Sequence, residues 1–532
     1  MSLSTEQLLL LNTLMYMTEK PLAPVLDHSG ATVREWIGQV DLVHIDAKTE
    51  YDCFIMGSEW LQVLRAVNME PLLLNMHIAA THVDNGPGGG RGHSAVFLNY
   101  DTRDAVVVFK GTQSPEEWGD NFAGFNLSDT PQQINALTWF RQVYDRLGLD
   151  RFTVTVTGHS KGGNKSKYVS VLDSRVHHCV SFDGQGFSDL FTDKYDRLLS
   201  MRERIIENHS AEYDFVNFLF NAVGSEAFYI ASPLENSGFA RSHSPCAMMH
   251  FLPEGGFHMV PSPHGQGPGI AAMSRFSDSF FQSLTPQMRD TSFQAVDALR
   301  KAAFSLGDTG TKDLLNVFLP LLGNPAYTDD LAYLLAFTVK YEQHYPEFIR
   351  QLQSLLIHFG LDDFTRYIVL VDGILNLDLE TPLGVLTFDS IFNELSRESQ
   401  NISPGLLAIL LGWAFQQGIN VTPGQLRQLL AVLPRVKAYM DTIVLDGYGE
   451  SRYAHFSPCS TTPELERISR SLEFLGTVMG GSAPGQQPKN TSKLRRAGSR
   501  LRTIGQVTGH ISSAFQELQP PPPRENEDII DV

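Results

Sequence analysis

The sequence predicts an α/β protein: a mostly parallel sheet with helices on both faces, followed by a mainly helical unit and a disordered tail. Three patterns carry that expectation. Between about residues 85 and 275, β-branched and aromatic runs alternate with stretches of helical apolar spacing, as in parallel strands joined by crossover helices. From 276 to 456 apolar residues recur at helical spacing and strand signals are sparse. From 457 onward the periodicity is lost among Ser-, Gly- and Gln-rich pieces. The expected units are therefore a helical N-terminal segment over 1–44, an α/β domain over 45–275, a mainly helical domain over 276–456 and a tail over 457–532.

The elements follow in order. Residues 1–20 carry an apolar stretch without a basic region or a small-residue cleavage site, which reads as a short amphipathic helix and not as a secretory signal. Ala95–Tyr100 and Ala105–Lys110 read as a hairpin or adjacent strands around the turn-forming residues 101–104. Thr130, Pro131 and Gln133 form a capping box ahead of the helical stripe Leu137, Phe140, Tyr144 and Leu147. Then come a strand over Phe152–Thr157, a helix over Gly162–Leu172 and a strand over Cys179–Phe182. A helix over Asp193–Arg204, a short strand near Ile205 and a strand over Ala227–Ala231 complete the alternation. Beyond it, Thr285-Pro286, Pro346 and the capping box Thr422–Gln425 each open a helix, and one more is expected over Pro463–Val478.

Composition limits the function classes. A single core stops growing near about 250–300 residues, so 532 residues with 42% hydrophobic content imply at least two units. A net charge of -18 argues against a nucleic-acid partner, whose footprint is a basic face. Cys53, Cys179, Cys246 and Cys459 lie far apart with no CxxC pair, so neither a metal site, a cofactor nor a disulfide framework is expected. The longest apolar runs, such as Leu406–Phe415, fall short of the about 18 residues a membrane-spanning helix needs. Cytoplasmic residence is the default expectation, with signal-independent export left open.

The chemistry centres on Val154-Thr155-Val156-Thr157-Gly158-His159-Ser160-Lys161-Gly162-Gly163-Asn164, which contains Gly-x-Ser-x-Gly. The pattern alone is weak. Its setting adds weight, because a β-branched strand runs into it and a helix leaves it, as a nucleophile elbow of the α/β-hydrolase type requires. Gly158 and Gly162 leave room for the close approach of strand and helix, and the Ser160 hydroxyl would project near a helix N-terminus. The strand Ala105–Lys110 ends in Gly111-Thr112, followed by Trp118, Asp120 and Phe122. A tetrahedral oxyanion needs two donors, and the Lys161 backbone N–H with a group at Thr112 would supply them. The plainer reading of Thr112 is a capping residue at a strand end.

Val-Phe-Lys-Gly-Thr followed by Trp118 and Asp120, then Gly-His-Ser-Lys-Gly-Gly, resembles the fungal-type (class 3) lipases. The resemblance is closer to a bacterial branch of lipase-like domains of unassigned function, in which Gly-His-Ser-Lys-Gly-Gly-Asn is typical. It covers roughly residues 45 to 260. Two positions depart from the class 3 pattern: Lys110 stands where Arg is usual, and Lys161 where an apolar or small residue is usual. The resemblance implies a Ser–Asp–His order. Asp214, in the Asp-x-Val segment, and Asp183, at a strand end in Phe-Asp-Gly-Gln-Gly-Phe, compete as the acid, and Asp214 matches the family position. Asp183 is the reserve acid or a pocket residue. His243 matches the family histidine; His250, His258 and His264 are its rivals, His209 comes too early, and His159 would point into the turn.

Two function classes follow. One is a serine hydrolase acting on a carboxylic ester of lipid-like or acyl character, with Ser160, His243 and Asp214 as its reacting set. The other is a hydrolase-fold scaffold that binds a protein partner, through the helical domain or through Pro520–Pro523. The basic run from Lys489 to Arg502 is a candidate contact for anionic lipid headgroups, although such runs are more often solvated tails.

Overall fold

The computed structural model describes residues 3–84, 92–112, 115–224, 226–234, 240–305, 314–358, 363–381, 384–397, 402–419 and 421–445. All belong to the first of the two units into which the chain divides, Met1–Ala454. The expected helix at 463–478, the basic run 489–502 and the prolines 520–523 lie outside the described residues.

A seven-stranded sheet organises the α/β region. Its strands are β1 His77–Asp84, β2 Gly92–Asn99, β3 Asp104–Phe109, β4 Thr153–His159, β5 His178–Phe182, β6 Ile206–Ala211 and β7 Glu226–Ile230. They lie side by side in chain order. The first three pair antiparallel, and every pair from β3 onward is parallel. Parallel neighbours require crossovers, which α4 Pro131–Leu147, α5 Lys161–Leu172 and α6 Asp189–Arg202 provide for the pairs β3–β4, β4–β5 and β5–β6. The capping box of α4 forms as expected: Thr130 Oγ1 accepts from Gln133 N, and Gln133 Oε1 accepts from Thr130 N.

Right-handed crossovers that always step in one direction place their helices on the same face. Accordingly Phe140, Val143, Val169 and Phe191 share one buried cluster with Ala105, Val107, Val154 and Val156. The other sheet face needs a separate cover, because alternate strand residues point there. It comes from the N-terminal residues. Leu8–Leu11 and Leu14 of α1 Thr5–Leu14, Trp36, and Trp60 and Val63 of α2 Gly57–Asn68 share a second cluster with Phe97, Val106, Val108, Val180 and Phe182.

Both faces are thus covered, but the cover of the second face lies upstream of the strand–helix alternation. The N-terminal helix is also not amphipathic. Leu8 through Leu14 are all buried, including Asn12, whose amide donates to Thr157 Oγ1 of β4 at 2.8 Å. Residues from Leu8 to Val40 thus contribute side chains to the sheet's core. Strand β1 was not expected, because His77–Asp84 alternates weakly between small and polar residues.

The described residues beyond 276 are mainly helical around their own cluster, which contains Leu331, Phe337, Leu410, Leu430 and Leu433. Three elements, α7 Pro268–Ser283, α8 Pro286–Ser305 and α9 Thr328–His344, help to wall an apolar cavity. The Thr422–Gln425 capping box opens a helix over Pro423–Met440, as expected. One departure is a short hairpin, Asp378–Thr381 with Gly384–Thr387, which is too brief to leave a periodic signal. Among the described residues, no helix is long and apolar enough to cross a membrane.

Candidate active site

Ser160 stands between β4 and α5 with φ 60° and ψ -128°. That left-handed backbone is costly for a residue with a Cβ and persists only where its surroundings enforce it. Ser160 N donates to Phe182 O at 2.9 Å, which ties the turn to β5. The flanking glycines permit the turn sterically. A Cβ on Gly158 would come within 2.1 Å of Gly162 C and O, and one on Gly162 within 1.9 Å of Phe109 O. Strand, turn and helix are therefore packed backbone to backbone.

Residues far apart in sequence meet at this turn because loops at the carboxyl ends of parallel strands converge on one sheet edge. Ser160 Oγ lies 2.7 Å from His243 Nε2. The other ring nitrogen, Nδ1, lies 2.5 Å from Asp214 Oδ1. Asp214 follows β6 and is fully buried; its second oxygen accepts from the backbone N–H groups of Val216 at 3.1 Å and Asn217 at 2.6 Å. The Phe215 ring packs beside the imidazole, with centroids 5.4 Å apart. The rival histidines are elsewhere. His250 is bonded to Ala231 O, His258 and His264 are exposed, and His209 stacks on Phe228.

Asp183 lies near the set without facing His243. Its Oδ1 accepts from Ala211 N at 2.8 Å, and its Oδ2 lies 3.6 Å from His159 Nε2. Burial, with the Asp214 charge adding to it, pushes the Asp183 carboxyl well above the usual carboxylate range. The His159 imidazole is in turn held well below its ordinary value by burial and by His243. The Tyr16 hydroxyl bonds to His159 Nδ1 at 2.7 Å. His159 thus points behind the turn, into a largely neutral layer beneath the His243 ring, 4.9 Å away. His159, Asp183 and His243 bring candidate metal-ligand atoms within 4.8 Å of one another, yet both nitrogens of His243 are already engaged.

The raised Asp183 value has a consequence for stability. Above the ordinary aspartate range, the folded protein keeps a proton that the unfolded chain has released. The contribution of this group is therefore complete at low pH and is lost as pH rises through its folded value. Asp183→Asn keeps the acceptor for Ala211 N but has no proton to lose. It is expected to gain stability over the parent at pH 7 and none at pH 3, read from urea midpoints. An equal shift at both pH values would contradict this protonation state.

The candidate oxyanion side is built from β3 and α3 Pro115–Ala123. A Cβ on Gly111 would lie 2.9 Å from Ser160 Cβ, so the β3 loop presses on the serine. The next residue, Thr112, accepts at Oγ1 from Asn121 Nδ2 at 2.8 Å, which leaves its own hydroxyl proton available to donate. Lys161 opens α5, where the first backbone N–H groups have no partner within the helix.

One feature escaped the sequence: the Lys161 side chain is also part of the structure. Its ammonium pairs with Asp120 Oδ2 at 2.7 Å, and both side chains are 1% exposed. Asp120 further accepts from Thr130 Oγ1 at 2.6 Å and Gln132 N at 3.1 Å. Burial raises the Asp120 carboxyl, but Lys161 and these donors outweigh it and hold the group below its ordinary value. Asp120 and Asn121 are consecutive on α3, so one turn of helix holds Lys161 and Thr112 together.

Lys110, the other departure from the lipase pattern, is likewise buried, against Asp52 at 3.0 Å and over the Tyr16 ring. Both partners, Asp120 for Lys161 and Asp52 for Lys110, are distant in sequence and left no local signal. Asp120→Ala would strand the Lys161 ammonium in the interior, at a cost of about 3–5 kcal/mol. Denaturant unfolding measures it, and adding Lys161→Met should recover part of the loss.

No curated protein matches the chain. Among solved structures it is similar to the Rhizomucor miehei lipase propeptide complex, at 16% identity and a TM-score of 0.21. That match covers 33% of this chain and 66% of the lipase chain. Residues 76–211, which include Thr112, Ser160, Lys161 and Asp183, match the model of a family described as Mbeg1-like, while Asp214 and His243 lie beyond the match.

Proposed function

We propose that the chain is a serine hydrolase cleaving a carboxylic ester of acyl or lipid-like character. The observation that carries this reading is the hydrogen-bonded line Ser160 Oγ–His243 Nε2 at 2.7 Å and His243 Nδ1–Asp214 Oδ1 at 2.5 Å. A nucleophile within reach of a base, itself oriented by a third group, is what activation of a serine hydroxyl demands. The strained backbone at Ser160 adds support, because such strain concentrates where a side chain must be presented in one direction.

In this reading His243 Nε2 takes the Ser160 proton as Oγ attacks the ester carbonyl carbon. Asp214 fixes the tautomer and stabilises the imidazolium that forms. The negative oxygen of the tetrahedral intermediate accepts from the Lys161 N–H and from Thr112. The intermediate then collapses, His243 returns the proton to the departing alkoxide, and the alcohol leaves an acyl group on Ser160. Water, deprotonated by the same imidazole, attacks the acyl carbon and releases the acid and free Ser160.

Rapid mixing of the purified full chain with a para-nitrophenyl acyl ester tests this sequence of steps. The expected result is hydrolysis with a trapped acyl adduct on the Ser160 peptide. Hydrolysis that proceeds without any acylated serine would point to water attacking directly and would remove the nucleophile assignment.

A further inference from the structure

An apolar cavity of about 180 Å³ lies beside the Ser160 site, between the loops of the sheet edge and the helical region. Its walls include Phe125, Phe220, Met273, Phe276, Phe280 and Leu334. It touches the candidate active site through two routes. Asn121, whose amide holds the Thr112 hydroxyl, lies on its wall. By the second route Phe215, packed against the His243 ring, shares the buried Ile270 as a neighbour with Phe218 and Met273, both of which line the cavity. The cavity is thus linked to the Ser160 site by side chains that contact its groups, Asn121 to Thr112 and Phe215 to His243.

We infer that this cavity receives the acyl chain of the ester, and that the helices beyond residue 267 set the chain length. The inference rests on the esterase reading of Ser160 and names the part of the substrate which that reading leaves open. Its physical basis is composition. The lining is dominated by aromatic and aliphatic side chains, which offer an acyl chain the same transfer out of water that folding offers an apolar side chain. A head group bearing several hydroxyls or a charge would find no comparable set of partners there. Most of the wall, from Phe218 onward, also lies outside residues 76–211, the span matched by the family model. Chain-length selection is thus a property of elements added to the shared sheet.

Two measurements read the cavity, one with chemistry and one without it. With para-nitrophenyl acetate, octanoate and palmitate, kcat/KM is expected to climb by about fourfold per methylene that enters, then to stop rising once the cavity is filled. Leu334→Trp should lower the octanoate-to-acetate ratio at least about tenfold, whereas Met273→Ala, which enlarges the space, should move the plateau towards longer chains. The ratio cancels any loss common to both substrates, and circular dichroism confirms that each variant is folded; if Leu334→Trp is not, Met273→Ala carries the test.

In the second measurement, calorimetry follows octanoic acid binding to the Ser160→Ala protein and to the same protein with Leu334→Trp or Met273→Ala. Saturable binding that either cavity change alters supports the site, even if no ester is cleaved, in which case only the esterase reading falls. Ester cleavage with a flat chain-length profile, or octanoic acid binding indifferent to both cavity changes, overturns the cavity assignment and leaves the esterase reading intact.

Discussion

Ser160→Ala is expected to lower kcat for ester hydrolysis by about 10⁴ or more while the protein stays folded. The size follows from what is removed. Without Oγ there is no atom to carry the acyl group, and His243 has no hydroxyl to deprotonate across the 2.7 Å gap. The fold should survive because the sharp turn is held by the backbone. Ser160 N donates to Phe182 O, and Gly158 and Gly162 pack against each other and against Phe109 whatever the side chain at 160 is. Steady-state hydrolysis with active-site titration measures the loss; a variant retaining more than a tenth of parental kcat would require another nucleophile.

Asp214→Asn is the second large effect, and it separates the two candidate acids. The carboxylate accepts from His243 Nδ1 at 2.5 Å, so it dictates that Nδ1 carries the proton and Nε2 faces Ser160 as the base. An amide can present its NH2 group instead and hold the opposite tautomer, with the proton pointed at the serine. The expected fall in kcat is about 10⁴, with little change in KM. Asp183→Asn should retain far more activity, because Asp183 bonds Ala211 N and faces His159, and its raised carboxyl already resembles a neutral group. Equal losses in the two variants would mean that the buried Asp183–His159 layer takes part in the proton transfer.

The local signals that were legible in the sequence are those with a short-range physical cause. The capping boxes at Thr130 and Thr422 form because a hydroxyl three residues before Gln meets unpaired helix N–H groups. The hairpin β2–β3 follows from β-branched runs around a tight turn, and the parallel sheet from strands spaced by helices. Long-range partners left weaker traces. The acid remained a choice between Asp183 and Asp214, since both follow strands and both reach the same sheet edge.

The cover of the second sheet face by residues 5–74 was hidden for a different reason. A helix stretch buried on all sides, such as Leu8–Leu14, has no polar face to reveal its orientation. Buried lysines were invisible as well. Lysines are mostly exposed, and the partners that let Lys161 and Lys110 be buried, Asp120 and Asp52, are distant in sequence.

Reaction with a fluorophosphonate probe tests the central claim most directly, because phosphonylation requires an activated serine and no knowledge of the substrate. The native full chain is expected to be labelled on the Ser160 peptide with one probe per molecule. Labelling is expected to disappear in Ser160→Ala, to fall sharply in Asp214→Asn and to be lost on denaturation. A native protein that resists the probe, or a Ser160→Ala protein labelled as fast as the parent, would contradict it.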